Sequence, residues 1–348
     1  MPKLRRFKWG GWAAHSFQRF IHDSPEVVAF DTETTGIAFH DAAFCVTASW
    51  RDPRGEMVST YIELADDDPK ALASRVEMVR QMLDTSHVWV FHNAKFDLQK
   101  LELGGMLPHV ESHILHDTQT IFNLLDENSR KALKILAKNV LGEETDEDEK
   151  LKVVRRKLKL TKDDGYHLLP REVIVPYAMK DTEFTLRLYE KLWPELEKRA
   201  KADPRLLDVY AEEIEVSEVL RRMEAVGIYL DLVYLRERLD EYSIRVMEGW
   251  GRLQKITGVS DPKFPNSPKQ LLEAFEARGV TLASTAESVL KGLDDALAIE
   301  LLKYRSDKKM YSTYFKALES EQVNGMVHPW FNPTGARTGR MSSGAASA

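Results

Sequence analysis

The sequence predicts an α/β fold, a mixed sheet with flanking helices, followed by an all-helical domain. Two observations carry this. Between Glu26 and Phe91, short apolar β-rich runs alternate with turn signals. From Pro204 to Leu318, apolar residues recur at helical spacing instead, as in Leu207, Tyr210, Ile214 and Leu220. A length of 348 residues accommodates roughly two domains at about 150 residues each.

The elements follow in order. Strands are expected at Glu26 to Phe30, Ala43 to Trp50, Met57 to Leu64 and His87 to Phe91. Gly36 and the Arg51-Asp52-Pro53-Arg54-Gly55 stretch separate them as turns. Helices are expected at Lys70 to Leu83, behind an Asp/Pro-rich entry, at Ser129 to Leu141, and from Pro170 through Leu192. Asp203-Pro204 marks a boundary between the mixed part and the helical part. The expected division is 1–24, 25–203, 204–325 and 326–348. Glu143 to Glu149 holds six acids in seven positions, and Lys150 to Lys162 holds seven basic residues. That block reads as a solvated surface excursion.

Composition excludes several classes. The hydrophobic fraction of 43% and charged fraction of 30% are ordinary for a globular chain. A net charge of −6 excludes a uniformly basic binder but allows a local basic surface. A single cysteine, Cys45, excludes a disulfide framework and a thiolate-rich zinc site. No apolar run approaches the ~18 residues a membrane helix needs, and no secretory signal is recognisable. A cytoplasmic protein without membrane partners is expected.

Three segments carry candidate chemistry. Asp31 and Glu33, two apart on an extended segment, present two carboxylates to one side. Asp97 falls in the first turn of a helix that begins after His92-Asn93. Tyr177 and Asp181, four apart on a helix, share a face. Each pattern alone is commonplace: a solvated acid pair, an acid at a helix start, a surface acid beside a half-buried phenol. Convergence of all four acids is costly, since two like charges about 4 Å apart repel by roughly 4 kcal/mol at a dielectric near 20. Protonation or a divalent cation relieves it. Oxygen-only ligation suits Mg²⁺ or Mn²⁺, and two such ions ~3.5–4 Å apart favour in-line displacement at phosphorus. Tyr177 would orient the attacking water.

In order and spacing, Asp31-Thr32-Glu33, Asp97 in His-Asn-Ala-Lys-Phe-Asp, and Tyr177-x-x-x-Asp181 resemble the three motifs of the DEDD 3′–5′ exonucleases, tyrosine branch. The resemblance implies a ribonuclease H-like fold over about Pro25 to Leu196, with Asp31, Glu33, Asp97 and Asp181 holding two metal ions. Thr32, Ile37, Asn93, Phe96 and Tyr166 would receive a single-stranded 3′ end. Asn93 would contact the terminal nucleotide, Ile37 would press on its base and Tyr166 would stack on it. Such stacking is worth about 1–3 kcal/mol per base and tolerates any sequence.

A second resemblance covers the helical part. Gly227-Ile228-Tyr229-Leu230-Asp231, Asn266-Ser267-Pro268-Lys269-Gln270-Leu271, Lys303-Tyr304-Arg305 with Ser312-Thr313-Tyr314, and Asn332 to Ser343 are similar to the thumb and palm entry of family A DNA polymerases. It implies a thumb-like domain at 204–325 and the start of a palm at 326–348. Asn266, Ser267, Lys269, Lys303, Arg305, Lys308, Lys309, Arg337, Thr338 and Arg340 would then contact duplex DNA. The palm aspartates, fingers helix and His-Asp-Glu motif of that family are not in this sequence, so polymerisation by this chain alone is not expected. The expected activity is a metal-dependent, proofreading-type 3′–5′ DNA exonuclease in a truncated or split polymerase. One alternative is a DNA-gripping subunit that docks a second chain carrying palm and fingers. A weaker one is an RNA-trimming enzyme of the ribonuclease D kind.

Overall fold

The computed structural model describes residues 10–64, 68–144, 147–160, 165–336 and 338–344, without the side chains of 10–15 and 147–150. Contacts divide it into two compact units, 1–226 with 329–348, and 227–328.

The first unit is built on one five-stranded sheet. Its strands are β1 (Val27–Thr34), β2 (Ala43–Arg51), β3 (Met57–Glu63), β4 (Val88–Phe91) and β5 (Ile114–Asp117), in the order β3-β2-β1-β4-β5. β1, β2 and β3 pair antiparallel, while β1, β4 and β5 pair parallel. The β2–β3 hairpin turns where Asp52 Oδ1 accepts from the N–H groups of Arg54 and Glu56, both at 2.9 Å. β1 lies at the centre and is longer than the apolar run alone suggests, so Asp31 and Glu33 belong to the strand itself.

Strand parity sorts the core. Val28 and Phe30 face one side with Phe20, Trp50, Met82, Leu83, Trp89, Phe91 and Leu98. That side is covered by α1 (Gly10–Asp23), α2 (Pro69–Thr85) and α3 (Ala94–Leu103). Asp68 caps α2, accepting from Lys70 N at 3.0 Å, with Pro69 in the first turn. Next in the chain come α4 (Thr118–Leu125), α5 (Leu133–Leu136), α6 (Glu147–Lys157), α7 (Arg171–Ala200) and α8 (Arg205–Val226). Ala29, on the opposite face from Phe30, packs with Val88, Val90 and Leu186 of α7. Phe44, Cys45 and Tyr61 of the same sheet meet Ile174 and Ala178 of α7.

Three local differences from the expected elements have physical reasons. The helix expected over Ser129 to Leu141 is one α turn, α5, continued by a π-helical turn over Ala137–Leu141 and ended at Gly142 with φ +74°. The segment before residue 25 contains a helix, α1, whose Phe20 packs edge-on against Trp50 at 5.2 Å. The break at Pro204 separates two helices, yet α8 packs on α3, α4 and α7. Tyr210 of α8 ties it down: its hydroxyl is 3.0 Å from His116 Nδ1 and accepts from Asp117 N at 3.2 Å. The boundary by contacts therefore falls after Val226.

A buried polar cluster closes this unit. The ammonium of Lys95 on α3 pairs with Glu224 of α8, their side chains only 2% and 1% exposed. The returning chain forms β8 (Trp330–Asn332), paired antiparallel with β9 (Ser342–Gly344) once the second unit is complete. Lys95 Nζ lies 3.2 Å from the Trp330 ring centroid, and Phe331 N donates to Glu224 Oε1 at 2.6 Å. Burial lowers Lys95 to about 8, with Glu224 opposing the shift.

The second unit pairs β6 (Ile228–Tyr229) with β7 (Met326–Val327). Its helices are α9 (Leu232–Thr257), α10 (Pro268–Glu276), α11 (Glu287–Leu290), α12 (Ala296–Lys309) and α13 (Lys316–Glu321). They enclose Leu253, Phe264, Leu271, Phe275, Leu290, Leu297 and Leu301. Asp231, Ser267 and Asp295 cap α9, α10 and α12. No helix among the described residues is long and apolar enough to cross a membrane.

Candidate active site

Parity on β1 assigns the acids. Asp31 and Glu33 share the face of Ala29, which is the face covered by α7, where Tyr177 and Asp181 lie. Thr32 lies on the other face, toward α3. It fixes the third acid: Asp97 Oδ1 accepts from Thr32 N at 2.8 Å and from Thr32 Oγ1 at 2.7 Å. One strand thus presents two carboxylates and holds a third by its backbone and hydroxyl.

The entry of α3 is set by Asp117. Its carboxylate accepts from Asn93 N at 3.1 Å and Ala94 N at 2.9 Å, and from Gln119 N at 2.8 Å, so it holds the starts of both α3 and α4. Asn93 there takes the left-handed conformation, φ 71° and ψ 54°. Asp117 was not a candidate site residue on sequence grounds. An Asp immediately before an apolar helix is nonetheless a readable cap signal. His92 adds a second tie, Nδ1 to Thr118 Oγ1 and Nε2 to Lys131 O, both at 2.8 Å.

The acids feel one another. Asp31 is pushed well above the usual carboxylate range, first by burial, then by the charges of Asp97, Glu33 and Asp181. Glu33 is pushed up likewise, by burial and then chiefly by Asp181. Burial lifts Asp97 to about 7, against the two hydrogen bonds from Thr32. One cation opposes the repulsion. Lys134 of α5 pairs with Asp181 and lies 4.2 Å from the Tyr177 ring centroid, and its charge pulls both Asp31 and Glu33 downward.

The other candidates distribute as follows. Tyr166 lies in a short 3₁₀ turn with its ring edge-on to Tyr177, centroids 5.8 Å apart. Ile37 is 44% exposed on the loop after β1. Phe96, one residue before Asp97, is half-buried and packs against Trp330 at 6.1 Å. In the second unit, Ser267 accepts from Gln270 N at 3.4 Å as a helix cap, beside exposed Asn266, and Lys269 approaches Glu273 at 4.0 Å. Arg305 turns inward and donates to Thr285 O at 2.6 Å. Lys303 is exposed, and Lys308 and Lys309 lie over the rings of Tyr304 and Tyr314 at 5.6 and 5.8 Å. Thr338 and Arg340 are exposed, while Arg337 lies outside the described residues.

The donor set suits a hard divalent cation. Four acids from three elements sit in mutual electrostatic contact, with no sulfur or imidazole among them. Among the described residues no three such side chains already close around a common point. Lys134 instead engages Asp181. The raised acids fix the sign of a stability effect. A carboxyl raised from its ordinary range to about 7 on folding costs nothing below its unfolded value, and its full cost is present above about pH 7. Without divalent cations, Asp97→Asn should therefore melt a few degrees higher than the parent at pH 8. The difference should shrink toward pH 4, and thermal melts in EDTA across that range measure it.

Comparison with known proteins bears on this arrangement. Residues 14–197 match the family described as 3′-5′ exonuclease, and residues 236–346 match DNA polymerase family A. DNA polymerase I of Chloroflexus aurantiacus is 34% identical over 276 residues, covering 72% of this chain and 27% of that protein. The DNA polymerase of Escherichia phage T5 is 30% identical over 348 residues, 91% of this chain and 39% of that one. DNA polymerase I of Pseudomonas aeruginosa is 30% identical over 346 residues, 92% and 36% respectively. The chain spans at most 39% of the length of these three curated relatives. A solved structure, the POL domain of Pol1 from M. smegmatis with DNA primer-template and dNTP, is similar in fold at TM-score 0.64 and 21% identity, covering 97% of this chain and 54% of that one. With the acids on β1, α3 and α7 inside the first matched segment and the helical unit largely inside the second, this chain belongs to the family A DNA polymerases and carries their 3′–5′ exonuclease domain, a hydrolase of phosphodiester bonds.

Proposed function

We propose that this chain removes nucleotides from single-stranded 3′ ends of DNA, in the manner of a proofreading nuclease, and releases nucleoside monophosphates. The observation that carries this is the mutual electrostatic contact of Asp31, Glu33, Asp97 and Asp181 across β1, α3 and α7, with Tyr177 one helical turn before Asp181. These four acids would hold two Mg²⁺ or Mn²⁺ ions. Bound there, such ions supply a more acidic water and neutralise charge on the departing 3′ oxygen.

The protein's own groups do the rest. Thr32 locks the Asp97 carboxylate to β1, so the third acid keeps its place before any ligand arrives. The phenol of Tyr177 orients the attacking water by a hydrogen bond. Tyr166, edge-on beside Tyr177, offers a ring face for the terminal base, and Ile37 offers an exposed apolar side chain. Asn93, held at the start of α3, and Phe96 flank the same acid. Burial and mutual repulsion make the acids reluctant to ionise while empty, which favours cation binding as pH rises.

The second unit would hold duplex DNA through Lys303, Lys308 and Lys309, with Asn266, Ser267 and Lys269 at the start of α10, and Thr338 and Arg340 of the returning chain would add contacts of their own. A DNA substrate is favoured over an RNA-trimming role because the helical unit falls largely within the polymerase match. The functional division proposed is 25–203 for the nuclease, 204–325 for the thumb and 326–348 for the palm entry. Polymerisation and a partner chain with palm and fingers form no part of this reading.

Three outcomes test it. Asp31→Ala with Glu33→Ala should lower digestion of a 3′-labelled single strand by a factor on the order of 10³ or more, with the circular dichroism spectrum unchanged. Tyr177→Phe should slow the same reaction about 10- to 100-fold while Mn²⁺ affinity stays at the parent value. Lys308→Ala with Lys309→Ala should flatten the log–log salt dependence of duplex binding by about one unit per lost phosphate contact, as read by fluorescence anisotropy.

A further inference from the structure

Lys134 sits among the acids without a role in the reading above. It projects from a single helical turn that continues directly into the π-helical turn at Ala137–Leu141. π-turns inside helices often mark functional positions. Its ammonium pairs with Asp181, the two side chains 15% and 11% exposed. The rings of Tyr177 and Phe184 flank it at 4.2 and 5.3 Å. Its charge reaches further, opposing the upward shifts of Asp31 and Glu33.

The neighbouring cations are committed elsewhere. Lys131 Nζ donates to Thr334 O at 3.2 Å, Lys180 pairs with Glu183 at 2.9 Å, and Arg187 pairs with Glu143 at 2.7 Å. Lys100 Nζ is taken up by the carbonyls of Ala38, Phe39 and Asp41. Among the described residues, the counter-charge inside the cluster is thus supplied by Lys134.

We propose that Lys134 is an internal counter-cation: it holds Asp181 while the site is empty and is displaced when a divalent cation binds, so that metal loading is an exchange. The proposal rests on the reading of the four acids as metal ligands. A single ammonium offsets part of the repulsion among four carboxylates and keeps the pocket folded when empty. The same ammonium competes for Asp181 and lowers the affinity for a divalent ion. Loading then becomes easier when further negative charge arrives, and the phosphate of a DNA end carries such charge. The flanking rings give the aliphatic stem a place to pack in either state.

The test uses the full chain and Mn²⁺ as probe. Lys134→Met keeps the stem and removes the charge, and Lys134→Arg keeps a charge. By isothermal titration, Lys134→Met should bind Mn²⁺ about tenfold tighter than the parent, or more, with Lys134→Arg near the parent value. Equal or weaker binding by Lys134→Met overturns the exchange. A second measurement needs no variant: amine acetylation of the parent protein, read by mass spectrometry, should label Lys134 more when Mn²⁺ is saturating. Labelling that stays level or falls also overturns it. If the parent does not bind Mn²⁺, the ligand reading fails and the exchange falls with it. If the parent binds Mn²⁺ but Lys134→Met binds it no more tightly, only the exchange fails.

Discussion

Like charges brought together out of water are the constraint that organises this protein. Asp31, Glu33, Asp97 and Asp181 come from positions up to 150 apart in the chain, and each must be held against its neighbours. The holding is done by neutral donors and by fold. Thr32 grips Asp97 with two hydrogen bonds, Asp117 anchors the helix that carries it, and α7 lies across the sheet face that presents Asp31 and Glu33. A tightly packed sheet matters here because an acid pair on a loose loop would swing apart.

Much of this was legible in the residues because strand periodicity is a strong rule. The alternation along Val27 to Glu33 places Asp31 and Glu33 together and Thr32 opposite, and in the structure that segment is one strand with Val28 and Phe30 in one core and Ala29 in the other. Four-residue spacing likewise puts Tyr177 and Asp181 on one helix face. Lys134 was not legible. It lies in a short segment whose helical hydrogen bonding changes within one turn, and nothing in Leu133-Lys134-Ile135-Leu136 announces a charge aimed at acids. The place of α8 was not legible either. A helical stripe says which face is buried, but not against which partner, and here the partners are a tyrosine–histidine contact and an ion pair with α3.

The basic residues of the second unit show a different limit of reading. A run of Lys and Arg between aromatics looks the same whether it tracks phosphates or stabilises its own helix. Arg305 is committed to the Thr285 carbonyl, and Ser267 is occupied as a cap. Lys303 faces outward, while Lys308 and Lys309 rest over tyrosine rings and remain partly open. Local pairing distinguishes these cases, and it depends on residues distant in sequence.

The return of the chain at Trp330 has a practical side. Trp330 and Phe331 complete the surroundings of the Lys95–Glu224 pair, and Lys95 stands two residues from Asp97. An expression clone that stopped at Val226 would encode every acid of the nuclease yet leave that pair half uncovered. Residues 329–344 belong to the same compact unit as those acids, so a version cut at Val226 calls for grafting them back through a short artificial connector.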